Sequence, residues 1–116
     1  TIQLIGSPRY PTDEATIRAH AEEAFDRAYY PQGVLRHVGA IIADGSRRGR
    51  LRAIRRPSLV VHGTDDPLVP VECGMDTAEH IPDARLELIP GMGHNLPEGL
   101  YEQLADLITT HARQSR

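Results

Sequence analysis

Two loops in this 116-residue sequence carry an acid and a histidine that could share a proton. His62-Gly63-Thr64-Asp65-Asp66-Pro67-Leu68-Val69-Pro70 follows one short apolar run, and Ile89-Pro90-Gly91-Met92-Gly93-His94-Asn95-Leu96-Pro97 follows another. His94 comes 28 positions after Asp66. A carboxylate bonded to one imidazole nitrogen fixes the tautomer and stabilises the imidazolium that forms when the other nitrogen takes a proton. General-base catalysis needs that equipment. Asp65 and Asp66 compete for the acid's place. Gly91 and Gly93 allow a tight turn beside His94 and leave room around its ring. Singly, these residues have plainer readings, because Asp before Pro is a common turn former and most histidines are not catalytic. His62, at the end of the first run, reads as structural. The usual partner of such a pair is a serine on a Gly-x-Ser-x-Gly elbow. The four serines, at positions 7, 46, 58 and 115, all lack glycines two places before and after.

The elements that must position the pair can be read from periodicity. Ile5-Gly6-Ser7-Pro8-Arg9-Tyr10-Pro11 reads as irregular chain. Thr12 is placed to cap a helix with Asp13 and Glu14 in its first turn, carrying Ile17, Ala21, Ala24, Phe25 and Ala28 on a weakly apolar face. Pro31 and Gly33 break it. Val34, Leu35, Val38, Ile41 and Ile42 predict a second helix over Val34 to Ala43, stopped by Gly45. An arginine-rich connector follows. Ser58-Leu59-Val60-Val61-His62 reads as a strand buried on both faces, as in a parallel sheet. A helix from Val71 to His80 comes next, then a turn at Pro82-Asp83. Arg85-Leu86-Glu87-Leu88-Ile89 alternates like a half-exposed edge strand, with Leu86 and Leu88 inward. Asn95 and Glu98 resemble a capping box for a last amphipathic helix through Leu100, Leu104, Leu107, Ile108 and His111. The second half is thus a βαβα unit with an expected right-handed crossover. Both loops leave strand C-termini, where open α/β sheets bind their ligands.

In order and spacing, four segments resemble the C-terminal part of an α/β-hydrolase: Pro57-Ser58-Leu59-Val60-Val61-His62-Gly63, Asp66-Pro67-Leu68-Val69-Pro70, Ile81-Pro82-Asp83-Ala84 and Ile89-Pro90-Gly91-Met92-Gly93-His94. The last segment, running on through Asn95-Leu96-Pro97, looks most like bacterial carboxylesterases such as the anthracycline methylesterases. The resemblance implies a partial α/β-hydrolase fold: two cap-type helices, then the last two parallel strands of a larger sheet. It assigns residues 1–45 to the end of the cap (lid), 46–57 to the connector, 58–112 to the core and 113–116 to a tail. It makes Asp66 the triad acid and His94 the base, in a parent that hydrolyses small, hydrophobic carboxylic esters. Neither a metal nor an organic cofactor is implied. The nucleophile and oxyanion hole lie upstream in that family, so these 116 residues alone are expected to be inactive.

Composition excludes several classes. The net charge is −3, which gives no general pull toward nucleic acid. All 13 basic residues are arginines. Those at 47–56 read as a solvated linker near a helix C-terminus, not a nucleic-acid patch. The single cysteine, Cys73, rules out an internal disulfide, and no two of the six histidines stand at i, i+4, so no metal site is expected. No apolar run approaches the roughly 20 residues of a membrane span. A bacterial, cytoplasmic protein is the resulting expectation. The sequence begins with Thr1 and reads as a piece of something longer. Two other readings stay open: a hydrolase-derived binding or self-assembly module, whose exposed strands would make it a homo-oligomer, and a fragment of a dehalogenase or epoxide hydrolase with an aspartate nucleophile.

Overall fold

Two five-residue strands, Leu59–Gly63 (β1) and Arg85–Ile89 (β2), pair in parallel in the computed structural model, which describes residues 2–115. The register runs from Leu59 opposite Arg85 to Gly63 opposite Ile89, so both strands end at the same level. The loops carrying Asp66 and His94 therefore leave the same sheet edge. Before β1 come Ile2–Ile5 (α1), Glu14–Arg27 (α2), Gln32–Asp44 (α3) and the short turn Arg48–Leu51 (α4). Val71–His80 (α5) connects the strands, and a 3-10 turn at Glu98–Leu100 leads into Tyr101–Gln114 (α6). The architecture is mixed α/β around a two-stranded parallel sheet.

Several local expectations hold. The helix over 71–80, the strand over 85–89 and the stop at Gly45 fall where the sequence puts them, with Gly45 at φ 59. Asp83 takes the turn before β2 with φ 57, a conformation its short polar side chain tolerates.

Others are corrected. Asp13, not Thr12, caps α2: its backbone is extended and its carboxylate accepts from the Thr16 amide at 3.0 Å and hydroxyl at 2.6 Å. The capping box at Asn95 does not form. Helical structure begins only after Pro97, without a side-chain cap, because the Asn95 side chain is engaged by Ser7. β1 is only half-buried from Leu59 to His62, since it has one strand neighbour among the described residues. In β2 the alternation does not appear as burial. Leu88 is exposed, whereas Arg85 and Glu87 are half-covered and bond to each other.

The core sits at the ends of the strands and under α6. Ile89 and Leu100 are each 1% exposed, and Met92 joins them, with Tyr10, Val61, Leu104 and Leu107 packed around. The loop that presents His94 is thus rooted in the core by its neighbours Ile89 and Met92. The apolar stripe of α3 forms as expected but faces outward, with Leu35 and Ile42 about three-quarters exposed. No helix among the described residues is long and apolar enough to cross a membrane.

Candidate active site

Asp66 stands just beyond β1 in a tight turn that its own side chain builds. Oδ1 accepts from the amides of Leu68 and Val69, both at 2.9 Å, as aspartates before turns commonly do. Oδ2 is left free to face the second loop, where it meets His94 Nδ1 at 2.8 Å. A carboxylate only accepts, so Nδ1 carries a proton, and in the neutral ring Nε2 is bare. The Asp66 side chain is 6% exposed and that of His94 is 38% exposed, so the acid is shielded while the imidazole remains accessible. Burial disfavours the Asp66 anion, but the Val69 and Leu68 amides and the His94 ring outweigh it and hold the carboxyl below its usual range.

Asp65, the competing acid, is engaged elsewhere. Its Oδ2 accepts from the Thr64 hydroxyl and, at 2.8 Å, from the Gly91 amide, so it ties the two loops together without touching the imidazole. Backbone bonds reinforce the tie, from Thr64 N to Ile89 O at 3.1 Å and from Asp65 N to Met92 O at 3.0 Å. His62 has the structural place expected of it: its Nε2 donates to the Val69 carbonyl at 2.9 Å, and its ring lies against Gly74 of α5.

Residues 5–10 play a part that periodicity and spacing do not reveal. This segment, irregular from Gly6 onward but helical at Ile5, lies against the histidine loop. Ser7 is buried, and its hydroxyl accepts from the Gly93 amide at 2.9 Å and donates to Asn95 Oδ1 at 2.7 Å. The His94 amide donates to the Ile5 carbonyl at 2.7 Å, and the Arg9 amide to the Gly91 carbonyl at 3.2 Å. Partners 86 and 88 positions apart leave no periodic trace in a sequence. A weak signal existed in the irregularity itself, since a polar Ser between Gly and Pro needs partners when buried. An open cavity of about 430 Å³ lies between this segment and the two loops, lined by Leu4, Ser7, Pro11, Ile17, Asp65 and Pro67.

Away from the pair, Asp76, Glu79 and His80 each offer an atom within 4.8 Å of the others. Asp76 already holds the Arg48 guanidinium at 2.6 Å, which supplies the charge a cation would bring.

Several carboxyls besides Asp66 are held below the usual range. The causes are the Thr16 hydroxyl at Asp13, Arg50 at Asp44, the Thr64 hydroxyl at Asp65 and Arg48 at Asp76. A folded value below the unfolded one gives stability that is complete above about pH 4 and is lost as pH falls through the folded value. The urea midpoint is therefore expected to be lower at about pH 3 than at about pH 7. Equal midpoints would show that these contacts do not survive in solution.

No family model matches the chain. It does resemble known enzymes. It is 38% identical over 68 residues to a rhodomycin D methylesterase of Streptomyces sp., covering 59% of this chain and 23% of that protein. It is 30% identical over 95 residues to a pimeloyl-[acyl-carrier protein] methyl ester esterase of Nitrosomonas europaea, covering 81% of this chain and 36% of that protein. It is also 30% identical over 81 residues to a 2-hydroxymuconate semialdehyde hydrolase of Pseudomonas putida, covering 70% and 27%. The matches span well under half of each relative. The resemblance to α/β-hydrolases, and to anthracycline methylesterases in particular, is borne out by these relatives.

Proposed function

We propose that this chain is the C-terminal portion of a serine-type α/β-hydrolase that cleaves carboxylic esters, with Asp66 and His94 as two members of its triad. The observation that carries the proposal is the 2.8 Å contact between Asp66 and the imidazole of His94 at the carboxyl ends of two parallel strands. Asp66 holds Nδ1–H and stabilises the imidazolium; bare Nε2 takes the proton of the attacking serine and returns it to the leaving alcohol. No metal or organic cofactor enters that cycle. Ser7 is not the serine, because it is buried and its hydroxyl proton goes to Asn95. The nucleophile belongs to a segment outside these 116 residues, which by themselves are expected to turn over no ester. In the parent, β1 and β2 are the last strands of a larger sheet. Two features support this: β1 pairs only with β2 among the described residues, and an apolar cleft lies between it and α6, lined by Val61, Met92, Leu104 and Ile108. Helices α1 to α3 are then the end of the lid. The relatives' names point to methyl esters as the substrate class.

The exposed apolar face of α3 favours a second reading, a hydrolase-derived module that self-associates. Assays of ester turnover, halide release and oligomeric state separate these two from each other and from an aspartate-nucleophile hydrolase. The product of the whole reading frame that encodes this chain is assayed on a short p-nitrophenyl ester, with and without a serine-acylating sulfonyl fluoride. Turnover abolished by the reagent supports the esterase. Halide release from a haloalkane without ester turnover indicates an aspartate nucleophile. A concentration-dependent oligomer without any turnover indicates the module.

A further inference from the structure

We infer that Ser7 and Asn95 are positioning residues for His94, an inference that rests on the proposed role of the Asp66–His94 pair. An imidazole that is 38% exposed is held by few contacts on its ring, so its place depends on the backbone that carries it. That backbone is fixed on both sides of His94 by the segment 5–9. The amides of Gly93 and His94 are taken by Ser7 Oγ at 2.9 Å and Ile5 O at 2.7 Å. The Asn95 side chain is taken twice, by the Ser7 amide at 2.8 Å and the Ser7 hydroxyl at 2.7 Å. Ser7 therefore uses its amide, its hydroxyl proton and a hydroxyl lone pair on the residues flanking His94. The approach is so close that a β-carbon on Gly93 would lie 2.3 Å from Gly6 O. With the backbone held, the remaining freedom of His94 is the rotation of its side chain, and the bond to Asp66 settles that. Ser7 touches neither the reacting nitrogen nor Asp66; it acts through the loop.

The test uses this chain uniformly labelled with 15N and two readouts: exchange of the Gly93 amide, and the tautomer of His94 from its ring-nitrogen shifts. In the wild-type chain His94 is expected in the Nδ1–H form. Ser7→Ala is expected to speed exchange of the Gly93 amide about tenfold, as loss of one buried bond does, and to move His94 toward the tautomer mixture of a free imidazole. Asn95→Leu should behave alike. Asn95→Asp, which keeps an acceptor for both Ser7 donors, should leave the tautomer as in the wild type. If Ser7→Ala does not fold, the contrast between Asn95→Leu and Asn95→Asp carries the test. Faster exchange with an unchanged tautomer in these variants would overturn the positioning role and leave a structural one. A wild-type His94 already showing the mixture would overturn the pairing with Asp66 itself, a separable result.

Discussion

Asp66→Asn, made in the product of the whole reading frame, is expected to lower kcat for ester cleavage by about 10⁴-fold with the fold intact. Both the loss of rate and the intact fold follow from the geometry of the turn. Asp66 uses Oδ1 for the Leu68 and Val69 amides and Oδ2 for His94. An asparagine oxygen can keep the two amide bonds, so the turn survives. Its NH₂ group then faces His94 Nδ1, and two donors cannot bond each other. The ring is driven to the form with Nε2 protonated, which cannot take a proton from a nucleophile. Because substrate binding does not involve this bond, KM should change little. Asp65→Asn is the control, since Asp65 bonds Thr64 and Gly91 and leaves the ring alone. A loss of activity as large in Asp65→Asn as in Asp66→Asn would assign the acid wrongly.

Gly63→Ala is expected to cost about 3 kcal/mol of stability, as overpacking against atoms that cannot yield does. A β-carbon at Gly63 would lie 2.1 Å from the Met92 carbonyl oxygen and 2.6 Å from its carbon. Both are backbone atoms of the histidine loop, and Met92 is itself in the core. The clash must be relieved by moving β1 away from that loop, which also strains the bond from Asp65 N to Met92 O. Gly39→Ala makes the informative contrast. It lies inside α3, and its added methyl meets nothing within 4 Å. There alanine should stabilise by about 1 kcal/mol or less through helix propensity. Urea unfolding of the two variants measures the difference. A Gly63→Ala chain as stable as the wild type would mean that the two loops are not held this closely.

Much of the second half was legible in sequence because its signals are local. Prolines and glycines bracket β1, α5 and β2, and a continuous apolar run beside an alternating one is enough to mark two strands. That the Asp and His loops leave one edge follows from parallel pairing, which a helix between two short strands enforces. Asn95 shows where local reasoning fails. Its spacing to Glu98 fits a cap, but a buried serine almost ninety residues earlier in the chain takes its side chain instead. Thr12 fails by one place, because Asp13 offers the better acceptor in the same turn. The burial of β1 falls short of its apolar run because Leu and Val state what the strand can bury against, not what covers it. Likewise α3 displays the apolar stripe its sequence promises, while nothing among the described residues covers it.

The most direct measurement is the ring-nitrogen spectrum of His94 in this chain, taken above the titration of the imidazole and repeated in Asp66→Asn. A proton on Nδ1 and a bare Nε2 are expected in the wild type, and the reverse in the variant. A wild-type His94 with its proton on Nε2, or a pattern identical to that of a free imidazole in both chains, would contradict the pairing of Asp66 with His94.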